Sequence, residues 1–243
     1  MAWALPDDAT LGIFAKRPDP GRVKTRLARE YGDAFAARVA EAMLLDTIDL
    51  WGSSAFLAPG GRRVVVFDPP DSGDWFDARV PASFALQPQA EGDLGERMRS
   101  FFEGEFAEGA KRVVLIGADS PTLDPSFVIS AFLCLENQDI VIGPAVDGGY
   151  YLIGCRGKTP PIFGGIDWSS SRVLGQTIDR LYGVDASLSA LPPWYDVDSA
   201  DDWDTLVGHV RAMKRSGMDP RLPRIEALIA ENATPERDLR ERR

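Results

Sequence analysis

The chain has 243 residues, 44% of them hydrophobic and 26% charged, with a formal net charge of −10. That length can bury a core without disulfide staples, and the balance is ordinary for a globular protein. The acidity argues against a general nucleic-acid binder. A single histidine, His209, excludes a multi-histidine zinc site and leaves a Ser-His-Asp triad or an H-E-x-x-H protease with one residue to run through. It reads as a surface or half-buried helix residue. Two cysteines, Cys134 and Cys155, make no disulfide framework; buried thiols in a reducing, cytoplasmic compartment are expected. No apolar run approaches the roughly 20 residues of a membrane span. The start, "MAWALPDDAT", has no basic region followed by a long apolar one, so no signal peptide is expected.

In chain order, "TLGIFAK" (10–16) reads as a buried strand. A basic stretch follows: Lys16, Arg17, Arg22, Lys24, Arg26 and Arg29 gather around a Pro- and Gly-containing turn in an acidic protein. It is either a solvated loop leading into a helix or a cradle for a phosphorylated ligand. "DAFAARVAEAMLLDTIDLW" (33–51) has helical spacing, with Phe35, Val39, Met43 and Ile48 expected near one face. "RRVVVFDPP" (62–70) is a β-branched run stopped by prolines, and "SFALQPQ" (83–89) predicts a short strand. A helix is expected over 92–110 and a strand in "KRVVLIGADSP" (111–121). Residues 124–137 predict a helix with Asp124 as N-cap and Pro125 in the first turn. "DIVIGPAVDGGYYLIGC" (139–155) predicts two strands around a Gly-rich turn, and 169–183 a helix. Ser199 and Asp202 form a capping box for a helix over 199–217. "RLPRIEALIAENA" predicts a last helix, packed on the domain or on a second subunit, and "TPERDLRERR" a charged, frayed tail.

This alternation predicts an α/β fold with a largely parallel sheet flanked by helices. It reads as one domain over 1–243, with 218–243 as C-terminal helix and tail. Ligands of such sheets collect at the carboxyl ends of the strands. The basic turn lacks the spacing of a Walker A loop, and no G-x-G-x-x-G follows the first strand, which argues against a P-loop kinase and a dinucleotide oxidoreductase. Asp119, after "VVLIG", is either a metal ligand or a turn residue before Pro121; Mg²⁺ takes one or two carboxylates besides phosphate and water. Asp147, Gly148 and Gly149 read on their own as a hairpin turn. Asp201 and Asp202 suit a helix N-terminus. Asp196 and Asp198 alternate along an extended segment, and one of them can reach a metal.

Five stretches, "IFAKRPDPGRVKTRLA", "GDLGERM", "VVLIGADSPTL", "GPAVDGGYYLIG" and "DVDSADDWDTL", together resemble the DUF2064 family of the GT-A nucleotide-diphospho-sugar transferase superfamily. The chain is in this respect similar to 2-phospholactate guanylyltransferases. The resemblance spans about Leu11 to Leu206 and implies a single-domain GT-A fold and a transferase using Mg²⁺ or Mn²⁺. It implies an NTP or nucleotide sugar as substrate, a small-molecule acceptor, and nucleotidyl or glycosyl transfer. By position it places Ala15, Lys16, Gly21, Lys24 and Arg26 on the nucleotide and Asp119 and Asp198 on the metal. It places Asp147, Gly148, Gly149 and Tyr150 on the acceptor side, with Lys24 and Asp119 as the catalytic pair. A catalytically degenerate nucleotide-binding regulator is the alternative, and a homodimer stays open.

Overall fold

A computed structural model describes residues 5–53 and 61–232. The expected charged tail, 234–243, lies outside the described residues. Seven strands form one sheet in the order β3-β2-β1-β4-β6-β5-β7. They are β1 (Ala9–Lys16), β2 (Arg62–Asp68), β3 (Ala85–Pro88), β4 (Arg112–Gly117), β5 (Ile140–Pro144), β6 (Tyr150–Arg156) and β7 (Leu188–Ala190). All neighbours pair in parallel except β6, which runs antiparallel to β4 and to β5. β1, β2 and β4 are central and covered on both faces, which is why they read as near-continuous apolar runs.

Eight α-helices and one 3-10 turn (Pro70–Ser72) complete the described fold: α1 (Thr25–Tyr31), α2 (Asp33–Gly52), α3 (Gly73–Asp77), α4 (Leu94–Ala107), α5 (Pro125–Cys134), α6 (Val173–Leu181), α7 (Ala200–Arg215) and α8 (Pro223–Asn232). One sheet face packs Leu11, Ile13, Val65 and Ile116 against Ile48 and Trp51 of α2 and Phe132 of α5. The other packs Val64, Val66 and Leu115 against Met98, Phe101 and Phe102 of α4. Gly12 lets that second contact close, because a Cβ there would stand 2.4 Å from the Phe101 ring. A third core joins α1, α2, α7 and α8 through Leu27, Val39, Met43, Trp203, Leu206 and Ile225.

The third core changes the reading of α2. Phe35, Val39 and Met43 face α7 and α8, whereas Ile48 faces the sheet. Val39 and Ile48 are nine residues apart, which at ~100° per residue is half a turn out of phase. The helix is therefore apolar on two sides rather than one. Cys155 is buried as expected, but Cys134 is only partly so, with its Sγ accepting from Ser189 Oγ at 3.4 Å. The Ser199–Asp202 capping box and the Asp124 cap with Pro125 are both present. Helices α1 and α3 and strand β7 were not legible as separate elements. α1 opens on Lys24 in a left-handed conformation (φ 46°, ψ 45°) with no side-chain cap, so the usual Ser, Thr, Asp or Asn start signal is missing. Among the described residues no helix is long and apolar enough to cross a membrane.

Candidate functional site

The carboxyl ends of β1, β2, β3 and β4 surround a cleft of about 390 Å³. β1 delivers Ala15 and Lys16 to it, and the following loop delivers Arg22 and Lys24. β4 leads straight into Ala118 and Asp119, and the segment before α7 adds Asp198 from the opposite side. The far wall carries Asp68 at the end of β2, Gln89 just beyond β3 and Arg97 on α4.

Three segments distant in sequence are fastened together here by main-chain bonds. Val197 N donates to Asp119 O at 2.9 Å, and Leu27 N donates to Asp198 O at 3.0 Å. Within that frame Lys24 Nζ lies 2.5 Å from Asp119 Oδ1 and 2.7 Å from Asp198 Oδ1. Arg26 donates to the other oxygen of Asp198 at 2.8 Å. The Lys24 side chain is only 6% exposed, against 56% for Asp119 and 32% for Asp198. Burial opposes the charge on Lys24, but the two carboxylates outweigh it and its pKa is raised. Burial likewise opposes the charge on Asp198, yet Lys24 and Arg26 hold its pKa below the ordinary value.

Asp196 differs from its neighbour two residues on. It is turned inward, accepts a short hydrogen bond from Ser120 Oγ, and has its pKa pushed up to about 6 by burial, with Asp119 and Asp147 adding to the rise. The alternation along the extended segment is real, but the two carboxylates meet different partners: Asp198 has the cations and Asp196 has a hydroxyl.

Of the sequence candidates, Ala15, Lys16, Lys24, Asp119 and Asp198 line one cleft, and Arg26 joins through Asp198. Gly21 occupies the turn before Arg22 at φ 77°, a conformation glycine adopts without strain, and does not itself line the cleft. Asp147, Gly148, Gly149 and Tyr150 are not in the cleft either. Asp147 Oδ1 accepts from Gly149 N at 2.9 Å, closing the β5–β6 turn. Gly148, at φ 94°, lies under Ser171, whose carbonyl oxygen would stand 2.3 Å from an added Cβ. Tyr150 points into the α4–α6 layer beside Trp168. Asp147 is the member of this turn whose charge is felt at Asp196.

Asp68 and Gln89 escaped the sequence reading, Arg97 entered it only inside the "GDLGERM" stretch, and Arg22 only as one of the cations of the basic stretch. Gln89 Nε2 donates to the carbonyls of Val66 (3.0 Å) and Ala15 (3.3 Å), and its Oε1 accepts from Arg97 at 3.2 Å. Gln89 thus clips the ends of β1 and β2 together and holds Arg97 over them. Arg97 is further fixed by Gly92 O at 3.0 Å and stands 3.6 Å from the Asp68 carboxylate. The advance signals were that Asp68 and Gln89 terminate predicted strands and that Arg97 lies in "GDLGERM".

His209 is partly buried on α7, with Nδ1 2.8 Å from the Tyr195 hydroxyl, which also accepts from Thr122 Oγ1 at 2.9 Å. It braces the 194–196 segment from behind and does not reach the cleft.

A family model described as uncharacterized proteins conserved in bacteria, DUF2064, matches residues 52–170. A protein of Phenylobacterium zucineum named 3-phospho-D-glycerate guanylyltransferase is 33% identical over 160 residues, which is 63% of this chain and 70% of that protein. A crystal structure from Desulfovibrio desulfuricans, provisionally described as a nucleotide-diphospho-sugar transferase, is 31% identical with a TM-score of 0.79. It is matched over 93% of this chain and 98% of its own. A cytidylyltransferase structure from Leptospira borgpetersenii, at 14% identity and TM-score 0.52 over 93% of this chain and 95% of its own, shares the fold.

Proposed function

Because the chain belongs to the DUF2064 family, we propose that it is a nucleotidyltransferase that moves a nucleoside monophosphate from an NTP, with GTP first in line, to a small phosphorylated acid. The observation that carries this reading is the meeting of Lys16, Arg22 and Lys24 with Asp119 and Asp198 in one cleft at the strand ends. The guanylyltransferase name of the Phenylobacterium relative supplies the base and the acceptor class.

The donor set suits a hard divalent cation. Asp119 and Asp198 converge closely enough for one ammonium to touch both, and Mg²⁺ is content with one or two carboxylates when phosphate and water complete its shell. Among the described residues no group of three or more His, Cys, Asp or Glu side chains forms a closed metal cage, which fits a cation shared with a substrate. Asp119 and Asp198 are the residues that would hold Mg²⁺ or Mn²⁺. When bound, the ion supplies positive charge to the polyphosphate.

The chemistry is a displacement at the α-phosphorus. An acceptor phosphate oxygen forms a bond to it, the bond to the β-bridging oxygen breaks, and pyrophosphate leaves. Negative charge moves onto the departing oxygens. Lys16 and Arg22 line the cleft as cations to meet it. In this reading the nucleoside lies toward Asp68, Gln89 and Arg97, on the side of the cleft that Lys16 shares with Asp68. The 145–149 turn, whose Asp147 charge is felt at Asp196 together with that of Asp119, is the acceptor side in this reading.

The test is pyrophosphate release from GTP with 3-phospho-D-glycerate and Mg²⁺. Asp119→Asn is expected to lower turnover roughly 10²–10³-fold with the fold intact, a loss on the scale of one transition-state charge contact. Full activity in that variant sinks the assignment. Release of a nucleoside diphosphate from a nucleotide sugar, with no pyrophosphate from any NTP, would place the chain among glycosyl transferases instead. Nucleotide binding without either product would leave the regulator reading.

A further inference from the structure

Lys24 stands where a cation between two carboxylates belongs. Its Nζ bridges Asp119 and Asp198 at 2.5 and 2.7 Å, from a side chain that solvent scarcely reaches. We propose that Lys24 is a built-in counter-ion for this pair, so that a divalent cation gains the two carboxylates only together with a polyphosphate that takes the ammonium over. The proposal rests on the nucleotidyl-transfer reading above and adds to it an order of binding: metal with nucleotide, not before it.

The geometry argues for this in three steps. First, two carboxylates brought within reach of one ammonium repel each other and need a cation between them; without Lys24 the pair would spread. Arg26 cannot replace it, because it reaches only the outer oxygen of Asp198 and is itself 57% exposed. Second, an ammonium at hydrogen-bond distance from both carboxylates and a divalent ion on the same oxygens would lie almost on top of one another. Like charges at that separation repel strongly beside a lysine that solvent scarcely reaches, so the lysine must move for the ion to bind. Third, the lysine has somewhere to go. It lines the same cleft as Lys16 and Arg22, and its four-carbon stem can swing while its backbone stays put. The frame around it is held by Val197 N to Asp119 O and Leu27 N to Asp198 O, neither of which involves the Lys24 side chain. An incoming triphosphate offers the displaced ammonium a new anion, and a metal ion alone does not.

The test reads metal binding, not turnover. Mn²⁺ affinity of nucleotide-free protein is measured by electron paramagnetic resonance of the free ion, for the wild type and for Lys24→Met. The neutral variant is expected to bind Mn²⁺ at least about tenfold more tightly, because the competing cation is gone. Equal affinities overturn the proposal. So does tight binding that survives a second change, Asp119→Asn, in the Lys24→Met background, since the ion would then sit elsewhere. Should Lys24→Met fail to fold, the wild type alone decides. Mn²⁺ without nucleotide is expected to leave the thermal midpoint unmoved, and Mn²⁺ with a non-hydrolysable GTP analogue to raise it. An equal rise with Mn²⁺ alone overturns the proposal. If Lys24→Met gains Mn²⁺ affinity while no NTP binds either protein, the counter-ion role stands and the nucleotidyl-transfer reading is what fails.

Discussion

Asp68 poses the sharpest question at the scale of single residues. It is a carboxylate in a cleft read here as holding a triphosphate, where negative charge is unwelcome unless it faces something else. It ends β2, on the wall away from Lys24, and has Arg97 3.6 Å away. A carboxylate accepts from two neighbouring N–H donors, and the guanine edge offers N1–H beside the 2-amino group. Arg97 can donate to a ring or carbonyl acceptor of the same base. Asp68→Ala is therefore expected to reduce the preference for GTP over ITP, which lacks the 2-amino group, by about tenfold. Competitive binding of the two nucleotides measures it, and an unchanged ratio would mean that main-chain groups read the base. This residue also shows where a sequence stops being legible. Lys24, Asp119 and Asp198 stood out because charges at strand ends in an α/β pattern point to a crevice, and they do converge. Asp68 and Gln89 carry no motif, and Arg97 lies in the "GDLGERM" stretch with no role attached to it there. They come from three elements and meet only because β3, β2 and β1 are neighbours in the sheet, an order that local patterns do not encode. The "DGG" stretch forms the β5–β6 turn that its residues predict on their own, with Gly148 packed under Ser171, while the acceptor role that the resemblance implies for it belongs to the proposal.

At the scale of elements, the fastening of α8 to α2 decides whether α1 can hold Lys24 in place. Asp46, buried in the middle of α2, accepts from Arg224 N, Ile225 N and the Arg224 guanidinium. It caps the start of α8 from another helix, a role that no N-terminal signal in "RLPRIEALIAENA" announces. Burial raises its pKa against the pull of those donors. α1, α2, α7 and α8 share one apolar core, so loosening α8 loosens the platform under α1. Asp46→Ala would leave two helix N–H groups without partners in a buried place. The expected loss is about 2–4 kcal/mol, combining a lost cap with unsatisfied donors, seen in chemical denaturation as a lower midpoint at unchanged slope. A loss within about 0.5 kcal/mol, the scale of an ordinary surface change, would show that α8 is held by Ile225 and Leu228 alone. The capping boxes at the starts of α4 and α7 make the contrast: there the cap and its partner lie three residues apart, and the sequence carries both.

At the scale of the whole molecule, acidity is the dominant trait, and its consequence for stability depends on where the carboxylates sit. Asp139 ties the far edge of the sheet together. It accepts from Ser187 N and Ser187 Oγ ahead of β7 and from Arg156 at the end of β6. The Ser187 backbone donor, then Arg156 and the Ser187 hydroxyl, hold its pKa well below the unperturbed 3.8. A depressed carboxylate contributes stability that is present above its unfolded-state pKa and is lost as pH falls through the folded one. Asp8, held down chiefly by Arg112, acts in the same sense. Glu105, pushed up by burial, acts in the opposite sense: its charged form is disfavoured in the fold, so acid relieves it. The overall acid limb mixes these contributions, and a single substitution separates one of them. Asp139→Ala is expected to unfold at a lower temperature than the wild type by a constant margin at pH above about 5, where the unfolded chain is also ionised. That margin should shrink below pH ~4, as protonation removes from the wild type what the substitution has already removed from the variant. Thermal midpoints measured across this range decide it. A margin that stays constant into acid would mean that Asp139 holds β7 through geometry alone, and that its charge contributes nothing to the edge of the sheet.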